Sequence, residues 1–560
     1  MALSRQLNGE RAVVFIYIVR ILSSIPLSLV PEGFALCVEI SADDASNPLS
    51  IFFRTRPGVS SGVLLGAVTL PGLLLSKLVQ TLRENSLQQV GVKEFEYLKS
   101  QYWAASSSCV AVLIFLSLIG QCPGKSNSSI CSPSRRNQIY SSICVIFFVG
   151  SGLASLSGKL YGGLSPVLIS LWVLGHGWAS IALIQKILET FPACASIGES
   201  LLVTTGIVIY FGDMLAYTAS KISYLVSLKA LFTQNGINRG EISTIIQGMI
   251  FGLLLFSVFY KYILRMGEYC VSSRNNTDLE THEKRRSLVF YALLTFLLVA
   301  VVPAWMQFVH TFNMHPFFWV IHFVLSEPLN RLALCVYWLV TISVSVRRFY
   351  SISKNSKTER ILLRKYYHLM AVALFVPALI FQPKFLDLSF GAALAVFLLL
   401  EIIRIRKIWP LGHLVHQFMN AFTDHRDSDL LIVSHFSLLL GCAIPIWLSS
   451  GFTDRPLAPF AGILSLGIGD TMASMVGHKY GVLRWSKTGK KTIEGTAAGI
   501  TSVLAACFVL LPLLAATGYI FTMHWFSLIV AVTTSGLLEA YTAQLDNAFI
   551  PLVFYSILCL

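Results

Sequence analysis

Apolar runs about as long as a bilayer is thick recur from one end of this chain to the other, and they leave it few ways to fold. Each helical crossing of a hydrocarbon core needs about 20 mainly apolar residues. Runs of that kind lie near residues 60–82, 102–120, 139–157, 163–187, 199–220, 242–264, 287–309, 330–346, 366–383, 387–403, 430–450, 458–480, 497–517, 519–539 and 547–560. The stretch from Ala12 to Val30 carries Arg20 and lacks a small-residue cleavage site, so it reads as a retained first helix rather than a removed signal peptide. The runs are continuous rather than alternating, which favours helices over the strands of a membrane barrel. The expected class is therefore all-α: a polytopic integral membrane helical bundle with roughly 13–16 transmembrane helices.

Charge supports that class and suggests an orientation. Only 12% of the 560 residues are charged and 55% are hydrophobic, too few charges for an ordinary water-facing surface. The net charge of +14 is concentrated in short connections: Lys284–Arg286, Arg347 to Lys365, Arg404 to Lys407, and Arg484 to Lys491. An even number of expected crossings separates each of these from the next, so all fall on one face, and the positive-inside bias makes that face cytoplasmic. For most of these residues topology and attraction to anionic head groups suffice as an explanation. The eleven cysteines, Cys122 and Cys131 among them, show no C-x-x-C pair and no zinc spacing. On this topology the sequons at Asn127 and Asn275 face the cytoplasm and stay unglycosylated.

The chain changes character near residue 350. Upstream, the helices hold few buried charges and no spaced constellation, so 1–350 is expected to be a multi-helix scaffold or lipid-binding region. Downstream, in 351–560, ionisable residues recur at the cytoplasmic ends of successive helices, and the chemistry is expected there. Four clusters stand out. Arg364-Lys365-Tyr366-Tyr367-His368 opens an apolar helix, either as a basic anchor with an aromatic belt or with Lys365 and His368 turned inward to phosphate. Glu401 and Arg404 share a helix face at i and i+3 and can pair, which is usually structural.

The third cluster combines Gly467-Ile468-Gly469-Asp470 with Lys490-Lys491-Thr492-Ile493-Glu494-Gly495-Thr496. The glycines let the backbone approach a ligand or another helix closely. A carboxylate inside an apolar segment is costly enough to point to function, and it suits magnesium, which takes one or two carboxylates and bridges phosphates. Thr496 is a plausible N-cap for the next helix, whose first N–H groups, with the lysines beside them, would form an anion cradle. A Walker A loop is excluded, because Arg484 stands where its first glycine is required and Lys491 follows Lys490. The fourth cluster is Glu539, seven residues before Asp546-Asn547. The two acids would point the same way if one helix ran through both; otherwise Asp546-Asn547 caps the last helix.

In this order, R-K-x-x-H, E-x-x-R, G-x-G-D, K-K-T-x-E-G-T and E-(x6)-D-N-x-x-I-P resemble the signatures of the polyprenol kinase family of membrane proteins. The resemblance spans Arg364 to Pro551. It implies transfer of the γ-phosphoryl group of CTP to the hydroxyl of a polyprenol such as dolichol, embedded in the endoplasmic reticulum membrane with the site facing the cytoplasm. It implies a divalent cation, Mg²⁺ or Ca²⁺, and no nucleic acid. On that reading Asp470, Lys365 and His368 are catalytic. Gly467, Gly469, Arg364, Lys487, Lys490, Lys491, Thr492, Glu494, Gly495 and Thr496 hold the nucleotide. Asp470, Glu539 and Asp546 hold the metal, while Glu401, Arg404 and Asn547 support. Asp470 is the metal ligand or else the base; Glu494, Glu539 and Asp546 make a second metal contact or hold the lysines. A cytidylyltransferase acting on a lipid phosphate, or more remotely a transporter using Asp213 and Asp470, would use the same residue types.

Overall fold

The computed structural model describes residues 9–41, 53, 55–56, 59–88, 92–120, 166–225, 239–271, 279–355, 360–420, 432–450, 454–485, 491–516 and 524–560. The expected crossing at 139–157, Cys122, Cys131, both sequons, Lys487 and Lys490 lie outside them. The described regular structure is helical, as an apolar chain that must satisfy its own backbone in lipid requires. In order come α1 (Gly9–Leu22), α2 (Val30–Ser41), α3 (Val63–Gln88), α4 (Val92–Gly120), α5 (Pro166–Thr190), α6 (Ile197–Leu225), α7 (Glu241–Val271) and α8 (Leu279–Phe296). Then follow α9 (Val302–Val309), α10 (Pro316–Ser326), α11 (Pro328–Asn355), α12 (Arg360–Phe381), α13 (Pro383–Arg406), α14 (Leu411–Asn420) and α15 (Val433–Ser449). The last four are α16 (Thr471–Tyr480), α17 (Ile493–Ala516), α18 (Trp525–Tyr541) and α19 (Asp546–Cys559).

Among the described residues nine helices are long and apolar enough to cross a membrane, and six shorter apolar helices accompany them. The all-α polytopic class expected from the apolar runs is the class observed. Three helices were not foreseen as separate elements: α2, α10 and α14, of 12, 11 and 10 residues. At about 1.5 Å per residue they reach only about half a bilayer, so no full-length apolar run announces them.

Two compact units emerge. The first contains Met1–Ile237, Glu359–Leu369 and Ile444–Leu560, and the second Asn238–Thr358 and Met370–Ala443. Packing thus groups the early helices with the late ones, a different division from one made at residue 350.

In the first unit α3 is the central helix, 89% of its apolar window being buried. It is fastened to α1 and α19 by hydroxyls: Tyr17 donates to Ser556 Oγ at 3.0 Å, and Ser76 and Ser556 lie 2.6 Å apart. The upstream helices also hold buried charges, contrary to the expectation that they hold few: Glu10, Glu32, Glu39, Arg56, Lys99, Glu199 and Asp213 are all buried. Partners far along the chain leave no local pattern for such pairs. Lys99 pairs with Glu32 at 3.0 Å and Arg56 with Glu199 at 2.6 Å.

The Arg56–Glu199 pair grips the turn between α18 and α19. Glu199 Oε1 accepts from the backbone N–H of Leu545 at 2.7 Å, and Arg56 Nη2 donates to the carbonyl of Ala543 at 3.1 Å. Gln544 donates to the carbonyl of Ser60 at 2.9 Å and accepts from Ser196 Oγ. Gly62 lies beside it at φ +61°, where a side chain would be strained and would strike the Gln544 amide.

In the second unit Phe256, Tyr260 and Phe290 pack edge-to-face and stacked inside a cluster that includes Leu253, Ile403 and Ile432. Glu401 and Arg404 form the expected i, i+3 pair, buried and bidentate at 2.7 and 2.8 Å, and Glu401 also accepts from the Ile432 N–H at 3.1 Å. That extra bond ties the end of α13 to the start of α15, a structural use of the pair. Only 6% of the α11 window is buried, which leaves its apolar surface to face lipid.

Glu199 serves three donors at once, including the Ser196 N–H at 2.8 Å. Replacing it leaves Arg56 buried without its anion, a change that costs about 3–5 kcal/mol. The expected outcome for Glu199→Ala is a clear fall in the melting temperature of the purified protein in detergent. Glu199→Gln, which keeps an acceptor oxygen, is expected to fall less.

Candidate active site

Asp470 ends a π-helical segment, Ile463–Asp470, that runs directly into α16. Such π turns displace one residue from the helical register and often occur at functional positions. Asp470 is 3% exposed, so a bare carboxylate there would be strongly penalised. Lys365 answers it: Nζ donates to Asp470 Oδ2, and both groups are buried. His368, one turn further along α12, brings Nδ1 to 3.2 Å from the same oxygen. Nδ1 is buried, with the Asp470 carboxylate as its neighbour. Lys365 and His368 share a helix face because they are three residues apart. The basic-anchor reading of this cluster therefore gives way to the inward one. Arg364 occupies the same helical turn; its side chain lies outside the described residues.

The K-K-T-x-E-G-T segment is organised differently from the expected cradle. The cap of α17 is Thr492, not Thr496: Thr492 Oγ1 accepts from the Gly495 N–H at 3.2 Å. The Ile493 N–H donates to the carbonyl of Leu483 at 2.8 Å, and the Thr496 N–H donates to the carbonyl of Thr492 at 3.1 Å. Glu494 accepts from the Leu483 N–H at 2.9 Å, and Thr496 Oγ1 accepts from Trp485 Nε1 at 2.9 Å. An isolated antiparallel bridge between Arg484 and Thr492 closes the base of this loop. The first donors of α17 thus have partners within the chain.

The glycines resolve toward helix packing. A Cβ on Gly495 would sit 2.6 Å from the carbonyl oxygen of Ala473, and one on Gly499 would sit 3.0 Å from that of Gly469. Gly469 itself faces Val503. The G-x-G-D and E-G-T segments therefore meet each other along the seam of α16 and α17, with Gly467 buried beside them.

The last cluster completes the constellation. α18 stops at Tyr541 and α19 starts at Asp546, so no helix runs through both acids; the gripped turn brings them together instead. Glu539 lies within electrostatic range of Asp470, Lys491, Lys365 and Asp546. Lys491 Nζ donates to the carbonyl of Glu539. The capping reading of Asp546 also fails, because the N-cap position of α19 is Leu545 and no side chain caps it. Asp546 is the first residue of the helix, buried, and accepts from the Asn547 N–H at 3.2 Å. The Asn547 side-chain oxygen is buried with no hydrogen-bond partner.

The start of α12, the end of the π segment, the residues just before α17, the end of α18 and the start of α19 thus gather Lys365, His368, Asp470, Lys491, Glu539 and Asp546 into one charged locus. The structure adds Arg56 and Glu199, which hold the turn carrying Asp546; their only sequence signal is that each is a charge near an apolar run. Among the described residues no three His, Cys, Asp or Glu side chains stand close enough to enclose a metal by themselves. The donor set still fits a hard cation that takes carboxylate oxygens and completes its shell with phosphate and water.

Comparison with known proteins gives a consistent picture. A family model described as dolichol kinase matches residues 178–509. Dolichol kinase EVAN of Arabidopsis thaliana is 58% identical over 562 residues, covering 99% of this chain and 98% of that protein. The dolichol kinase of Homo sapiens is 27% identical over 581 residues, covering 99% and 97%. Dolichol kinase sec59 of Schizosaccharomyces pombe is 35% identical over 282 residues, covering 48% of this chain and 54% of its own. No solved structure matches the chain.

The seam supplies a direct check. A methyl group at Gly495 meets backbone that cannot rotate away, so Gly495→Ala is expected to cost about 1–3 kcal/mol through overpacking. The measurement is the melting temperature in detergent. Ala498→Gly in the same helix, whose position is only partly buried, is the comparison and is expected to shift it by about 1 kcal/mol or less.

Proposed function

The chain belongs to the dolichol kinase family, and from that membership we propose that it transfers the γ-phosphoryl group of CTP to the terminal hydroxyl of dolichol, releasing CDP. The supporting observation is the buried Lys365–Asp470 pair with His368 beside it and Glu539, Asp546 and Lys491 within reach of its charge. Phosphoryl transfer is mainly positioning and charge neutralisation, and this locus offers both signs of charge at one place.

The attacking atom is the dolichol hydroxyl oxygen. A bond forms from it to the γ-phosphorus while the bond from the β,γ-bridging oxygen breaks, and CDP carries away that electron pair. Lys491, with the basic residues Arg364, Lys487 and Lys490 of the same segments, is assigned to the polyphosphate. Lys365 holds Asp470 in place and charged. His368, oriented by Asp470 through Nδ1, is assigned the hydroxyl proton at Nε2. One or two of the carboxylates Asp470, Glu539 and Asp546 would hold a divalent cation, Mg²⁺ the first choice and Ca²⁺ the second, with phosphate and water completing its shell; bound there, it would neutralise phosphate charge. Gly495 and Thr496 shape the seam beneath this locus, and Glu494 ties down the loop above it.

The acceptor never leaves the bilayer; only its hydroxyl has to reach the helix ends where these side chains lie. The protein is a multi-pass membrane protein. We assign it to the endoplasmic reticulum from its family, and the site to the cytoplasmic face from the basic residues of the neighbouring loops. Dolichyl phosphate made there serves as the lipid carrier for protein glycosylation.

The deciding experiment follows label from γ-labelled CTP into dolichyl phosphate in membranes carrying the wild-type chain or Asp470→Asn, with ATP as parallel donor. Label from CTP is expected, with a loss of about 10²–10⁴-fold in the variant. Label entering lipid from α-labelled CTP instead would mean nucleotidyl transfer and overturn the reading. Lys365→Met and the double variant Lys365→Met/Asp470→Asn test the pair as a unit: the double loss is expected to be no larger than the greater single loss. Chelation is expected to abolish transfer and added Mg²⁺ to restore it.

A further inference from the structure

A pocket at the other end of the first unit lies on the helices that carry the catalytic locus. It is lined by Arg455, Leu511, His524, Trp525, Leu528 and Leu558, among others, and is partly open to the surroundings. Trp525 begins α18 and Glu539 lies near its end, so at 1.5 Å per residue the pocket is about 20 Å from the locus.

Arg455 is the informative residue. It is 8% exposed, yet the acid next to it is engaged elsewhere. Asp454 accepts from Arg83 at 2.7 Å and from Gln80 at 2.5 Å, while its nearest approach to Arg455 is 3.9 Å from Nε. Arg455 Nη2 donates to the terminal oxygen of Leu560 at 3.0 Å, and Arg83 donates to the carbonyl of Cys559 at 2.7 Å. Nε and Nη1 of Arg455 are left buried and without hydrogen-bond partners. On the same wall Arg20 donates to Ser527 Oγ at 2.8 Å, and its guanidinium lies 5.2 Å from the centre of the Phe526 ring. Arg20, Arg83 and Arg455 thus lie within electrostatic range of one another at this end of the bundle, with Asp454 and the terminal oxygen of Leu560 as the acceptors beside Arg455.

A buried guanidinium with two unpaired nitrogens costs several kcal/mol unless an anion meets it. The remaining walls are apolar, so an anion carried on a hydrocarbon chain satisfies both surfaces at once. We propose that this pocket binds an anionic lipid, its phosphate on Arg455 and its chain along Leu511, Trp525, Leu528 and Leu558. The geometry is independent of the catalytic reading, because no residue of the locus lines the pocket. A planar five-donor fork suits phosphate better than a lysine would.

The test uses the full chain in neutral detergent and a photoreactive phosphatidic acid, with cross-linked peptides mapped by mass spectrometry. Cross-links are expected in the segments containing Trp525–Leu528 and Leu558, competed by phosphatidic acid but not by phosphatidylcholine. Arg455→Gln is expected to weaken labelling about tenfold or more, and Arg455→Lys less. Equal labelling by a choline-headed probe, or unchanged labelling in Arg455→Gln, would overturn the proposal. Competition by inorganic phosphate alone, at similar concentration, would replace the lipid by a free anion. If Arg455→Gln does not fold, the wild-type competition decides alone.

Discussion

The architecture around the candidate site follows from the burial of one carboxylate. Asp470 lies among apolar helices where an unpaired anion would be severely penalised, and the cation that answers it comes from Lys365, 105 residues earlier in the chain. Satisfying the pair requires the start of α12 to lie against the end of the π segment. That placement also brings in His368, since a residue three positions beyond a buried lysine shares its helix face. A pair of this kind adds little net stability over well-packed apolar residues, yet breaking it by removing one partner is costly. It acts as a registration device, and it leaves a charged, dry group available for chemistry.

The second constraint is the turn between α18 and α19. Its backbone is not protected by a helix, so its N–H and carbonyl groups need partners inside the unit. Arg56, Ser60, Ser196 and Glu199 supply them. The N-terminal region thereby acquires a specific role, since its early helices hold the backbone that positions Asp546 and lets Glu539 face the same locus. A scaffold in the loose sense would only fill space. Here a carboxylate far upstream accepts directly from the residue preceding Asp546.

Class and locus were legible in the sequence to different depths. Apolar run length gave the helices, because lipid forbids most alternatives, and short elements such as α10 and α14 escaped because half a bilayer leaves no such trace. The charged residues of the C-terminal segments stood out against an apolar background, and Lys365, His368, Asp470, Lys491, Glu539 and Asp546 do gather. Their connections were not legible. The partnership of Glu199 with Leu545 spans 346 residues, and no local pattern encodes contacts at that separation. Thr492 and Thr496 are both threonines at the start of an apolar run, so the sequence does not separate them as N-caps; the Leu483–Ile493 and Trp485–Lys491 backbone bonds start the helix at the earlier one.

The glycine segments set the packing around the buried carboxylate. Gly495 lets α17 approach the carbonyl of Ala473, three residues beyond Asp470 on the same helix, and Gly499 does the same for the carbonyl of Gly469, immediately before it. Side chains at either position would push α16 away from α17, and Asp470 would move with it. The glycines therefore act on the chemistry through distance. They set how far the carboxylate stands from Lys365 on one side and from Lys491 and Glu539 on the other. Where chemistry relies on charge held in a fixed place, close backbone packing of that kind keeps the charge there.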